Sequence, residues 1–151
     1  STLDRSSAAS DVYKRQLQGI EVPPHLVPLA IDEFPALFIA AACAKTPTTI
    51  SGAEELRVKE SDRIAVMAAG LRALGVAVEE QPDGAVITPS TLCGGQVDSH
   101  GDHRIAMAFA MAGQVASGDV EILDCANVAT SFPGFPALAR QAGLRLEVLN
   151  A

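Results

Sequence analysis

Two short runs gather most of the side chains able to do acid, base or anion-binding chemistry. The first is Glu54-Glu55-Leu56-Arg57-Val58-Lys59-Glu60-Ser61-Asp62-Arg63, where seven of ten residues are charged although charged residues make up 19% of the chain. The second is Asp102-His103-Arg104, which follows a glycine-containing loop at 94–101. Asp32 and the Thr130-Ser131 step stand at similar junctions. Cations set among carboxylates suit two tasks: holding a phosphate or carboxylate, and moving a proton at the bound molecule. With a net charge of −7, the chain as a whole attracts neither anions nor nucleic acid. An anion site therefore needs a local concentration of bases, and Arg57, Lys59, Arg63 and Arg104 supply one.

These residues need a scaffold. Residues 17–22 alternate in polarity before Pro23-Pro24, which predicts a short strand and a turn. Asp32 precedes an alanine-rich run in which Pro35 is tolerable only in the first turn, so Asp32 reads as the N-cap of a helix reaching about Ala44. Residues 48–51 form a β-branched strand. Residues 61–74 form a helix with Ile64, Met67, Ala68, Leu71 and Leu74 on one stripe, stopped by Gly75. Residues 76–78 and 85–87 flank Gln81-Pro82-Asp83-Gly84, a hairpin signal. Asp102 then caps a helix to about Ala116. Residues 120–123 are a strand, 132–142 a fourth helix, and 144–149 a last strand.

An offset of 70 residues lays Asp32 on Asp102, Ala36 on Ala106, Ile50 on Val120, Ser61 on Ser131 and Leu74 on Leu144. The order helix, strand, helix, strand repeats with it, so the chain reads as about two copies of one unit in an α/β fold (α+β in some schemes). If the copies are related by rotation, the helix starts near Asp32, Glu60, Asp102 and Thr130 face one surface. Helix starts offer free N–H groups and partial positive charge, which favour an anion. Arg63 and Arg104 oppose that dipole by about 0.3–1 kcal/mol each, a cost that a bound anion offsets. The alternative is a solvated helix end whose acids neutralise its bases. Asp32 reads as a cap or as a binding carboxylate, and Glu60 as an ion-pair partner of Arg63 or Arg57 or as a proton carrier. His103 reads as a hydrogen-bonding group or as an ordinary helix residue.

The remaining features exclude more than they assign. A length of 151 residues, 48% hydrophobic and with a mean hydropathy of +0.24, is enough to bury a core and too apolar for disorder. The longest apolar run, 34–44, is closed by Lys45 and Pro47 and is too short to span a membrane. Cys43, Cys93 and Cys125 are odd in number and irregular in spacing, which fits a reduced, intracellular protein. Cys93, His100 and His103 lack the spacing of metal ligands, and neither a phosphate-binding nor a dinucleotide-binding glycine motif is present. Residues 1–16 show no apolar periodicity and read as a foreign or disordered lead, with 17–151 as the C-terminal part of a longer protein.

Arg57-Val58-Lys59-Glu60-Ser61-Asp62-Arg63, followed by the helix to Gly75, closely resembles the C-terminal signature of the 5-enolpyruvylshikimate-3-phosphate synthase family. Three more segments match in order: Ile31-Asp32-Glu33-Phe34-Pro35, Gly101-Asp102-His103-Arg104-Ile105-Ala106-Met107 and Ala129-Thr130-Ser131-Phe132-Pro133. The resemblance covers about 17–149 and implies part of a two-domain cytoplasmic enzyme built from repeats in an inverse αβ barrel, monomeric when complete. It implies transfer of the enolpyruvyl group of phosphoenolpyruvate to the 5-hydroxyl of shikimate 3-phosphate, with no metal or cofactor. By position it implies that Asp32 and Lys59 bind shikimate 3-phosphate, and that Asp32, Lys59 and Glu60 are catalytic. It likewise implies that Arg63, Arg104 and His103 bind phosphoenolpyruvate. Where many members have a lysine, this chain has Thr130. The missing N-terminal domain is the expected partner, and the chain alone is expected to be inactive. The alternatives are the related enzyme acting on UDP-N-acetylglucosamine, disfavoured by the Lys59–Arg63 and Asp102–Arg104 motifs, and a non-catalytic piece that only binds a complementary half.

Overall fold

The structure, a computed structural model, describes residues 16–149. The lead expected at residues 1–16 lies, but for Gln16, outside them. The strands are Thr48–Ile50 (β1), Ala77–Gln81 (β2), Gly84–Thr88 (β3), Gly95–Asp98 (β4) and Val120–Leu123 (β5). The α-helices are Phe34–Ala42 (α1), Arg63–Ala73 (α2), His103–Ala112 (α3), Asn127–Ser131 (α4) and Phe135–Gln141 (α5), with 3-10 turns at Pro24–Leu26, Ile31–Glu33 and Glu54–Val58.

This α/β arrangement carries the expected repeat. In the first unit an extended segment runs parallel to β1, with Val22 N donating to Thr49 O and Thr49 N to Ile20 O, both at 2.9 Å. In the second, β4 runs parallel to β5. Parallel neighbours need a crossover, which α1 supplies in one unit and α3 in the other. A short helical turn and then a longer helix follow each time: Glu54–Val58 with α2, and α4 with α5. The first unit adds the hairpin β2–β3, and β3 lies between β1 and β2, antiparallel to both. Gln81 pairs with Gly84, so Pro82-Asp83 makes the turn. Gly84 is required there, since a Cβ would overlap the Ile50 carbonyl.

Helix α2 is central. It packs against β2, β3 and β4 and against α1 and α3, and its Ile64, Met67 and Leu71 are fully buried. Gly70 permits the approach to α3, because a Cβ would run into the Phe109 ring.

Three expected elements differ. Residues 17–22 form a single bridge rather than a strand, because the Thr46 and Thr48 hydroxyls take the Gly19 and Ile20 amides. The loop expected at 94–101 contains β4; Gly94, which suggests a loop, instead allows close approach to the Gly118 backbone. Residues 144–149 form no strand. There, Gln114 brackets Arg145 through both main-chain groups and Arg140 Nε donates to Leu146 O, so side chains take positions that ladder partners would occupy.

Candidate active site: an arginine among three carboxylates

Arg63 opens α2 with its side chain 1% exposed. Its Nε donates to Asp102 Oδ2 at 2.8 Å, its Nη1 to Asp32 Oδ1 at 3.1 Å and its Nη2 to Glu60 Oε2 at 2.6 Å. Three segments far apart in sequence therefore meet on one guanidinium. Asp102, 0% exposed, is the N-cap of α3. Its Oδ1 accepts from Arg104 N at 3.0 Å and Ile105 N at 3.3 Å, while Oδ2 also accepts from Ser61 Oγ at 3.0 Å. Burial works against the Asp102 charge, but the Arg63 guanidinium, the Ser61 hydroxyl and the Ile105 amide outweigh it and hold the carboxyl below its ordinary range. Burial likewise opposes the Arg63 charge, and Asp102 reverses that effect.

Asp32 is not the expected cap. It lies in the 3-10 turn Ile31–Glu33, and Glu33 occupies the N-cap position of α1 without a side-chain cap bond. A cap at Asp32 would need amides two or three residues on, and Pro35 has none. Its carboxylate instead faces the bases: Arg63 at 3.1 Å and Lys59 Nζ at 3.9 Å. The bond from Arg63 is the main reason that Asp32 is held below the usual carboxylate range, with Arg104 and Lys59 adding to it against a desolvation cost. Lys59 also contacts Glu55 Oε1 at 2.7 Å, which raises its ammonium pKa. Arg104 Nη1 donates to the Asp32 carbonyl at 3.0 Å and to Glu33 Oε1 at 3.3 Å. Asp32 is thus approached by all three bases.

The second helix start also differs in detail. The helix expected from residue 61 begins at Arg63 and is capped by Asp62, which accepts from Ala65 N at 3.0 Å, while the Ser61 hydroxyl serves Asp102. Arg57 turns away from the cluster, toward the hairpin and Asp62. His103 is half-buried at the start of α3. Thr130 and Ser131 end α4 rather than start a helix, so three of the four expected helix starts carry the site and the fourth does not. The dipole cost inferred for Arg63 is met within the chain by three carboxylates. Among the described residues, no group of three His, Cys, Asp or Glu could hold a metal ion, and no helix is long and apolar enough to cross a membrane.

Sequence reasoning saw Asp102 as a cap and missed it as the partner of Arg63; its alignment with Asp32 in the repeat was the available signal. Ser61 and Glu33 were missed as partners because each contact depends on tertiary placement, whereas the Glu55–Lys59 pair fits the reading in which the acids of this stretch neutralise its bases. A hollow of about 160 Å³ between α1 and α3 has Asp32 and Arg104 at its polar end and Pro35, Ala36 and Met107 among its walls. Its polar end is thus formed by two side chains that also take part in the cluster around Arg63.

Fold and site together define an α/β repeat unit whose helix starts converge on a cluster of bases and carboxylates. A family profile described as EPSP synthase (3-phosphoshikimate 1-carboxyvinyltransferase) matches residues 4–138, and the chain belongs to that family. It is 80% identical over 135 residues to the 3-phosphoshikimate 1-carboxyvinyltransferase of Acidithiobacillus ferrooxidans, covering 89% of this chain and 31% of that protein. It is 63% identical over 139 residues to the enzyme of that name from Nitrosococcus oceani, covering 92% and 31%. The solved EPSP synthase of Acinetobacter baumannii superposes with a TM-score of 0.86 at 53% identity, over 89% of this chain and 32% of that one. The chain thus spans about a third of the length of the relatives it matches.

Proposed function

We propose that the protein to which this chain contributes transfers the enolpyruvyl group of phosphoenolpyruvate to the 5-hydroxyl of shikimate 3-phosphate and releases phosphate. The observation that carries this reading is the convergence of Lys59, Arg63 and Arg104 on Asp32, with Glu60 held on the same guanidinium. Asp32 stays ionised at neutral pH and so can accept the proton of the attacking hydroxyl, which Lys59 polarises. The oxygen adds to C2 of phosphoenolpyruvate while Glu60, entering as the acid, protonates C3. The C2–O bond to phosphate then breaks as the C3 methyl returns a proton to Glu60, and the hydroxyl proton held by Asp32 leaves with the phosphate.

Arg104, about a third exposed, makes the first contact with the phosphoenolpyruvate anion, and His103 flanks it. Arg63 is 1% exposed, with Asp32 and Glu60 on its terminal nitrogens, so it meets the substrate carboxylate once one of them moves aside. Of its five N–H donors, three are used among the described residues, which leaves one on each terminal nitrogen for a carboxylate. Thr130 contributes no charge where many family members carry a lysine. The remaining phosphate-binding groups come from the rest of the protein, and no metal or cofactor is required. The free state of Cys43, Cys93 and Cys125 supports a cytoplasmic setting, and the complete enzyme acts as a monomer.

The test is a graft of this chain in place of the matching third of the A. ferrooxidans relative. Glu60→Gln lowers kcat by about 10²-fold or more with little change in KM, whereas Arg104→Ala raises KM for phosphoenolpyruvate first. Small, equal effects from both would return the cluster to a structural ion-pair network.

A further inference from the structure

We propose that Arg57 is a positioning residue: backed by the β2–β3 turn, its guanidinium fixes residues 58–61, and with them Lys59 and Glu60, without touching substrate. The proposal rests on the roles given above to Lys59 and Glu60. Those two residues lie between the 3-10 turn Glu54–Val58 and the start of α2, in a stretch with no ladder or helix bonds of its own. Its side chains reach Glu55, Arg63 and Asp102, while its main chain is held at its two ends.

Arg57 uses all three nitrogens. Nε donates to Pro82 O at 2.7 Å, in the hairpin turn, and Nη2 to Gln81 O at 2.5 Å, at the end of β2. Nη1 donates to Asp62 Oδ2 at 2.8 Å and to Glu80 Oε1 at 3.1 Å. Asp62 is the α2 cap, so one side chain joins a turn of the sheet to the helix start that carries Arg63. The same turn grips the chain upstream: Gly52 N donates to Asp83 Oδ2 and Ala53 N to Asp83 O, each at 2.8 Å. Residues 52–62 are therefore pinned to the hairpin at Gly52-Ala53 and at Arg57, and Arg57 in turn holds Asp62. Only four residues lie between Arg57 and Asp62, and Lys59 and Glu60 are among them.

The chemistry explains the choice of arginine. Partly exposed ion pairs add little stability, so four acceptors on one side chain point to geometry. A planar fork fixes carbonyls and carboxylates at set angles, which a lysine ammonium cannot do.

The grafted enzyme tests this with steady-state kinetics on Arg57→Met, Arg57→Lys, Glu60→Gln and the Arg57→Met/Glu60→Gln double variant. The control is Ile87→Val or Ile87→Ala, whichever matches the Arg57→Met loss of Tm, since Ile87 is a core residue of β3 outside the site. Arg57→Met is expected to lower kcat about tenfold or more below the control, with KM for phosphoenolpyruvate changed by no more than about threefold. Arg57→Lys does not restore the rate. The double variant loses less than the product of the single losses, because a displaced Glu60 has less left to lose. Kinetics equal to those of the control at matched Tm, or losses that multiply, would overturn the proposal. If Glu60→Gln alone has little effect, the role given to Glu60 fails, and Arg57→Met against the control still decides whether Arg57 positions the segment.

Discussion

The starts of α2 and α3 use the same local code to opposite ends. Each is capped by an aspartate, Asp62 or Asp102, and each carries an arginine in its first turn, Arg63 or Arg104. At α2 the cap is partly exposed while the arginine is buried under three carboxylates. At α3 the cap is fully buried while the arginine is 35% exposed, with one exposed carboxylate as its ion partner. The buried cap of one helix is the buried partner of the other helix's arginine. A repeated motif has thus been divided: the Asp102–Arg63 pair holds the two units together, and Arg104 is left within reach of solvent.

The sharpest way to break this division is Asp102→Ala. Removing one member of a buried pair costs about 3–5 kcal/mol where it strands the other charge. Arg63 keeps Asp32 and Glu60, so the lower end of that range applies, and the α3 cap is lost as well, about 1 kcal/mol more. Chemical denaturation of the grafted enzyme should register a loss of that size, and a loss below about 1 kcal/mol would mean that Arg63 finds water instead. Acid sharpens the same point. The folded pKa of Asp102 is depressed, so its contribution is complete above the unfolded value of about 3.9 and is lost as pH falls through the lower folded value. Asp102→Asn abolishes that titration. The stability gap between wild type and Asp102→Asn should therefore narrow as pH drops below about 4, and a gap independent of pH would place the ion pair outside the stability balance.

Much of the frame behind this comparison was legible in the sequence. The stripe Ile64, Met67, Leu71 and the turn Pro82-Asp83 are local signals, and the structure honours them. So is the 70-residue offset, which anticipated the paired crossovers α1 and α3. The strand β4 was hidden by Gly94-Gly95, because glycine reports a permitted backbone and says nothing of the neighbour that uses the permission. For the candidate site, sequence named side chains that meet on Arg63 and paired only the near neighbour Glu60 with it. Asp32, Arg63 and Asp102 are separated by 31 and 39 residues along the chain, and no periodicity reaches across such gaps. That Asp102 is buried while Asp62 is not follows only from what packs over each helix start.

A smaller effect belongs to Asp62→Ala. Its carboxylate caps α2 through Ala65 N and accepts from Arg57, but it is partly solvated, so the loss should be about 1 kcal/mol. An Asp62→Asn variant keeps the cap oxygen and weakens only the ion pair. It should recover most of that loss in the same denaturation measurement, since partly exposed pairs are worth little. A cost for Asp62→Ala near that of Asp102→Ala would erase the contrast between the two caps.

Arg104→Ala should be the least costly to stability and the most selective in function. Its pair with Glu33 spans 3.3 Å between a partly exposed and an exposed side chain, worth at most about 1 kcal/mol, and its bond to the Asp32 carbonyl leaves that group free to take water instead. Thermal unfolding of the grafted enzyme should shift by no more than such a pair allows, while KM for phosphoenolpyruvate rises. Salt separates the two contributions: raising ionic strength screens the exposed Arg104 pair and leaves the buried Arg63 pair nearly untouched. Wild type and Arg104→Ala should therefore converge in stability at high salt, while the Asp102→Ala deficit persists. If the Arg104→Ala deficit also persisted, Arg104 would be as structural as Arg63, and the division between a fixed and an available arginine would not hold.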